Sequence, residues 1–188
     1  MDAIEAIMKR RSVRKYLDKQ ISAADLDTIV KAGQNAPNGY NRQAVYITAI
    51  HNADKLKELE KILKEVAVNL PSDPESIFFK EKWAENGSKL CYGAPTFVIV
   101  SAAPNSKFPE MDCAVCMENI LVAATALGIA SCFINTLFKM IPLATIKSVM
   151  ADFGVPETHT IHCAAALGYS VETPAAPKRA AANLTIIS

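Results

Sequence analysis

The sequence predicts a layered domain of the α/β or α+β class, with few strands that are not adjacent in the chain. Three observations predict it. Residues 45–50, 95–102 and 158–169 read as strands, and helical patterns lie between them. Two further helices show one apolar stripe each, so they cover a sheet from one side. Residues 111–127 are apolar nearly all round, which asks for cover on every side.

The elements follow in chain order. Ile4, Ile7 and Met8 fall at helical spacing behind acidic Asp2, giving a short helix that feeds a basic run. Ser22 and Asp25 form a capping pair ahead of Leu26, Ile29, Val30 and Gly33, a second helix ending near Asn35. Residues 36–43, APNGYNRQ, form a loop with access to unusual backbone conformations. After the strand at 45–50, Asn52 caps a helix with the stripe Leu56, Leu59, Leu63, Val66 and Leu70, closed by Pro71 and Pro74. Residues 72–88 read as a partly helical excursion. The run PTFVIVSA is continuously apolar and rich in β-branched residues, as a strand buried on both faces requires. Gly128 stops the long apolar helix, a strand-like turn follows it, and Ile146, Val149, Met150 and Phe153 mark a helix ended by Gly154. An extended tail, residues 171–188, completes a single domain.

The chain has 188 residues, 20 Lys and Arg against 19 Asp and Glu, and 51% hydrophobic residues. A chain of this length buries roughly 70% of its unfolded surface and needs no staples. A net charge of +1 gives no global attraction to nucleic acid or membranes. No apolar stretch is long enough to span a bilayer, so no membrane partner is expected. The five cysteines follow no secretory signal, which reads as free thiols in a reducing, cytoplasmic setting. Neither GxGxxG nor GxxxxGK[ST] occurs.

Lys9, Arg10, Arg11, Ser12, Val13, Arg14 and Lys15 place five cations and a hydroxyl in seven residues. Arg forks give bidentate bonds to phosphate and Ser adds a neutral donor, so the run suits a phosphate monoester. A solvated basic face or a nucleic-acid patch would look the same, but no wider basic surface accompanies it. Cys113 and Cys116 are spaced as a redox pair or half a metal site. Their place inside a core helix, without a second CxxC, favours buried small hydrophobes and no metal. Asp112, Glu118 and Asn119 on that helix suit dimer or backbone hydrogen bonds rather than acid/base chemistry.

Five segments in order, RRSVRKY, APNGYNRQ, GAPTFVIV, DCAVCMENILVAATALGIASCFI and ALGYSVETPAAPKR, resemble the nitroreductase family and leave only about residues 52–88 unmatched. The resemblance implies an α+β, three-layer α/β/α sandwich with a mixed sheet flanked by helices. It also implies an intertwined homodimer with FMN at the interface and NADH or NADPH as electron donor. Arg10, Arg11 and Ser12 would hold the FMN phosphate and ribityl chain, and Arg14 would reach the pyrimidine edge. Pro37, Asn38, Asn41 and Gln43 match a loop that reaches the partner's FMN, although Ala44 and Val45 replace the usual Pro-Trp. Asn86 and Lys89 resemble a pair that binds the flavin ring; two polar residues in a surface loop would look the same. Ile134, Asn135 and Thr136 match the turn whose backbone N–H meets flavin N5. Lys178 and Arg179 match a late basic pair that returns to the phosphate. The implied activity is ping-pong hydride transfer through N5, reducing nitroaromatic, quinone or related acceptors, with no catalytic side chain. An oxygen-dependent or dehalogenating flavin enzyme, or a non-catalytic FMN-binding protein, are the alternatives.

Overall fold

The computed structural model describes residues 1–74, 76–77, 80–81, 89–134, 143–180 and 185–187. The chain runs α1 (Ala3–Lys9), α2 (Ala23–Gln34), a 3-10 turn (Gly39–Asn41), β1 (Val45–Ile50), α3 (Ala53–Val68), β2 (Thr96–Ala102), α4 (Pro109–Ala126), β3 (Ala130–Ile134), α5 (Leu143–Ala151) and β4 (Thr160–Gly168).

The starts of α1, α2 and α3 are fixed by the residues that cap them. Asp2 accepts from the Glu5 amide, Ser22 from that of Asp25, and Asn52 from those of Asp54 and Lys55. Gly128, at φ 75°, takes the left-handed turn that lets α4 end and β3 begin two residues later.

The strands lie in the order β1-β2-β4-β3 and pair antiparallel throughout. The parallel component of the expected mixed sheet is therefore confined, among the described residues, to one bridge between Ser12 and Ser131. Period-2 burial is the same for either strand direction, so the sequence pattern carried no information on this point. All seven residues of β2 are buried. Alternate residues of the sheet feed two cores. Val98, Val100, Cys163, Ala165 and Leu167 pack on Ile29 of α2 and on Met117, Ile120 and Leu121 of α4. Phe97, Ile99, Ala164 and Ala166 pack on Leu56, Leu59 and Leu63 of α3 and on Ile146 and Met150 of α5. Those two cores are the α/β/α layering.

The long apolar helix α4 is only half covered. Cys113, Cys116, Met117, Ile120, Leu121 and Ala124 are buried, while Met111 and Val115 stay exposed, as do Ile4, Ile7 and Met8 of α1. The short first helix buries only Ala6, so its apolar spacing faces outward in the single chain.

Residues 12–17 form a strap outside the sheet's β3 edge. The Val13 amide donates to the Ser131 carbonyl at 2.9 Å and the Leu17 amide to that of Tyr169 at 2.8 Å, with Tyr16 bridging to Ser170. The strap can lie this close because Gly168 has no side chain. A Cβ there would stand 2.7 Å from Pro95 Cδ and 3.0 Å from Tyr16 Cδ1. Gly168→Ala is accordingly expected to cost about 1–3 kcal/mol through overpacking against a rigid ring. Urea unfolding of the two proteins measures the difference.

Candidate functional site

The strap is extended, so its side chains alternate. Val13 points inward and is buried. Arg11 turns back and donates to the carbonyls of Met8 at 2.8 Å and Arg10 at 2.6 Å, which caps the end of α1. Arg10 and Ser12 are half-buried and Arg14 is exposed. No carboxylate pairs with Arg10 or Arg14 among the described residues. Both guanidiniums bear on the buried Cys132 thiol, drawing its pKa down against the larger upward effect of burial.

Arg14 meets a second element, the turn that precedes β2. Its guanidinium carbon lies 5.8 Å from the centroid of the Tyr92 ring. The neighbouring Tyr92 side chain, followed by Cys132, raises the Arg14 pKa above its ordinary value. Lys89 opens the same turn, its ammonium 3.5 Å from where a Gly93 Cβ would stand. The turn is held from α3, where Glu60 Oε1 accepts from the Leu90 amide at 2.9 Å. Behind the strap, Tyr16 donates to the Val13 carbonyl at 2.7 Å, and burial pushes its phenol pKa up.

The start of the tail closes the strap from the other side. Glu172 accepts from the Arg14 amide at 3.1 Å and pairs loosely with Lys15 at 3.9 Å. Between strap, tail and the α4–β3 turn lies a cleft of about 370 Å³, lined by Arg10, Arg11, Val13, Gly128, Ser131 and Thr173 among others. Ser131 Oγ is buried with no hydrogen-bond partner among the described residues. Lys178 and Arg179 lie further along the tail, exposed and extended, and the described contacts do not join them to the strap.

The loop with Pro37, Asn38, Asn41 and Gln43 is built elsewhere. Tyr40, Asn41 and Gln43 all have positive φ, 56°, 50° and 50°, a conformation Asn tolerates better than most residues. Asn38 Oδ1 accepts from the Gln43 amide at 2.9 Å, and buried Asp112 accepts from the Gly39 amide at 2.9 Å and from Ser106 Oγ at 3.4 Å. Tyr40 stacks on Phe108 with centroids 6.2 Å apart. Pro37, Asn38, Asn41, Gln43, Asp112 and Cys116 line a cleft of about 620 Å³. The loop enters β1 beside Ala103, at the Ala102–Thr160 end of the sheet, whereas the strap lies outside β3 near Leu167. Four strand spacings and seven residues along β4 separate these corners, about 19 Å across and about 23 Å along.

Of the residues expected at a site, Arg10, Ser12 and Arg14 are brought together, with Lys89 at the adjoining turn. Ile134 is the buried last residue of β3, and Asn86, Asn135 and Thr136 lie outside the described residues. Sequence reasoning missed Tyr92, Glu60, Ser131 and Glu172. An aromatic directly before the glycine of GAP, and an acid beside the apolar stripe of α3, were the available signals.

Cys113 and Cys116 sit in the α2–α4 core as expected of small hydrophobes. All five thiols are free and buried, and burial raises every one, Cys91 and Cys163 to about 12 and Cys116 to about 11. No group of three or more His, Cys, Asp or Glu residues could hold a metal among the described residues. Asn119 donates to the Ala32 carbonyl at 3.0 Å, a backbone bond between α4 and α2. No helix among the described residues is long and apolar enough to cross a membrane.

The family model described as the nitroreductase family matches residues 7–169. A crystal structure titled as a nitroreductase with bound FMN, from Bacteroides fragilis NCTC 9343, is 36% identical, covers 100% of both chains and has a TM-score of 0.82. A second, from Desulfitobacterium hafniense DCB-2 and also titled with bound FMN, is 26% identical over 100% of both chains, at a TM-score of 0.83. The FMN reductase (NADPH) of Bacillus subtilis strain 168 is 26% identical over 197 residues, 95% of this chain and 72% of that protein.

Asp112 is the described contact from α4 that fixes the 37–43 loop, so Asp112→Ala is expected to cost about 1–3 kcal/mol, the scale of leaving a donor unsatisfied. Hydrogen exchange at the Gly39 amide should quicken in that variant, and Asp112→Asn, which keeps an acceptor, should restore most of the protection.

Proposed function

This chain belongs to the nitroreductase family, and on that premise we propose that it is an FMN-dependent oxidoreductase that draws electrons from NADH or NADPH and passes them to nitroaromatic, quinone or related acceptors. The observation that carries the reading is the strap, where neither the Arg10 nor the Arg14 guanidinium has an ion pair among the described residues; Glu172, which also lines the cleft, is engaged by Lys15 and the Arg14 amide. A phosphate monoester joined to an electron-accepting ring matches that donor set, with two fixed cations and a hydroxyl in a row. The unpartnered Ser131 hydroxyl in the adjoining cleft fits a polar ligand rather than an apolar one. The cleft volume of about 370 Å³ falls within the range of small-ligand sites.

FMN, when bound, supplies the hydride acceptor and donor in one group. The chain supplies placement and charge. Arg10 and Ser12 would hold the phosphate by charge-assisted and neutral hydrogen bonds, joined from the tail by Lys178 and Arg179. Arg11, committed to the end of α1, would support the strap rather than touch the ligand. Arg14 would place fixed positive charge at the pyrimidine edge, where added electrons concentrate negative charge, and so favour the electron-rich state. Lys89 would add a cation at the same edge, with Asn86 beside it, and the backbone of residues 134–136 would face the reacting centre. No side chain is assigned as acid or base.

The two corners support a homodimer. The strap and the 37–43 loop cannot serve one site within one chain across that separation, but a second copy placed across the exposed faces of α1 and α4 can bring its loop to this strap. Pro37, Asn38, Asn41 and Gln43 would then act on the partner's cofactor. Covering Ile4, Ile7, Met8, Met111 and Val115 would also remove the apolar surface that α4 leaves open. Five unpaired thiols fit a reducing, cytoplasmic setting.

An absorption spectrum of the purified protein, before and after NADH or NADPH without air, tests the reading. Flavin bands that bleach, and return on adding a quinone or nitroaromatic, are expected; a protein that takes up no FMN would overturn it. Arg10→Ala should weaken FMN binding by about 1.5–3 kcal/mol, the scale of a lost charged hydrogen bond. Fluorescence titration of the apoprotein with FMN reads this directly, and unchanged affinity would remove Arg10 from the phosphate site.

A further inference from the structure

We propose that Tyr92 is the positioning residue for Arg14, holding its guanidinium in place without neutralising it, so that the preference for reduced over oxidised flavin depends on Tyr92 through Arg14. This rests on the functional reading above, in which Arg14 faces the flavin.

Arg14 needs a holder. It is exposed on the strap, its side chain has several rotatable bonds, and Glu172 engages its backbone amide rather than its head. What meets the head is Tyr92, whose ring centroid lies 5.8 Å from the guanidinium carbon. Tyr92 is itself tightly fixed. Its φ is 56°, a left-handed conformation that a bulky residue keeps only when its surroundings impose it, and Gly93 follows at 77°. Its surroundings do impose it. Leu90 and Cys91 are buried, Glu60 holds the Leu90 amide at 2.9 Å, the Ala94 amide closes on the Cys91 carbonyl at 2.9 Å, and the half-buried Tyr92 packs against the core under α3.

The chemistry of the holder matters as much as its rigidity. A carboxylate in this place would fix the guanidinium equally well and cancel its charge. A phenol holds the head through its ring face and brings no carboxylate charge beside it. A cation whose task is to favour a more negative bound state is best held by such a group.

The test is an anaerobic redox titration of the FMN-loaded protein in wild type, Arg14→Ala, Tyr92→Leu, Tyr92→Phe and the double variant Arg14→Ala/Tyr92→Leu. Tyr92→Leu should lower the preference for reduced flavin several-fold, up to tenfold, which is about 30 mV for a two-electron couple. Tyr92→Phe, which keeps the ring, should lose less and guards against misfolding of the leucine variant. The double variant should match Arg14→Ala alone. A shift in Arg14→Ala with none in either Tyr92 variant would overturn the Tyr92 assignment and leave that of Arg14 intact. A Tyr92 shift that persists without Arg14 would overturn it too, since Tyr92 would then act on the ring directly. An unshifted potential in Arg14→Ala would remove both assignments, and a chain that takes up no FMN would remove the functional reading beneath them.

Discussion

The backbone pairing between the strap and the rim of the sheet is the constraint on which the rest depends. An uncovered strand edge invites association, and here residues 12–17 lie outside β3 through the Val13 amide and onto the end of β4 through that of Leu17. Lying along a strand forces the strap to be extended, and extension forces its side chains to alternate. Arg11 and Val13 then secure the fold, while Arg10 and Ser12 stay half-buried and Arg14 is exposed. The absence of a side chain at Gly168 and the burial of Tyr16 both serve that close approach.

The layering was legible where burial and capping chemistry act locally. Ser22 and Asn52 mark the starts of α2 and α3, Gly128 marks the end of α4, and the unbroken apolar run of β2 is buried throughout as its composition requires. Strand direction was not legible, since an alternating pattern looks the same run either way. The basic run illustrates a finer limit. As a string, Arg10 and Arg11 are equivalent cations, and only the backbone path shows that Arg11 closes a helix end while Arg10 does not.

The site reading divides along the same line. Motif order singled out Arg14, Lys89 and the 37–43 loop, because each is carried by a short segment of its own. Tyr92 and Glu60 lie 32 residues apart and meet through a turn whose shape depends on positive φ, so neither stands out when the chain is read in order. The positions of strap and loop at opposite corners are a property of the strand order β1-β2-β4-β3, which no local segment encodes. Asp112 was expected to serve backbone bonds, and it does, from the helix that borders the loop.

The buried thiols carry a practical consequence. For Cys116, held at about 11, roughly one molecule in ten thousand is thiolate at neutral pH, and the thiolate is the form that alkylating reagents attack. Burial thus slows the reaction of the five native cysteines with maleimides and iodoacetamides. A single cysteine introduced on an exposed turn would take a fluorophore or spin label ahead of them, with the natural sequence otherwise untouched.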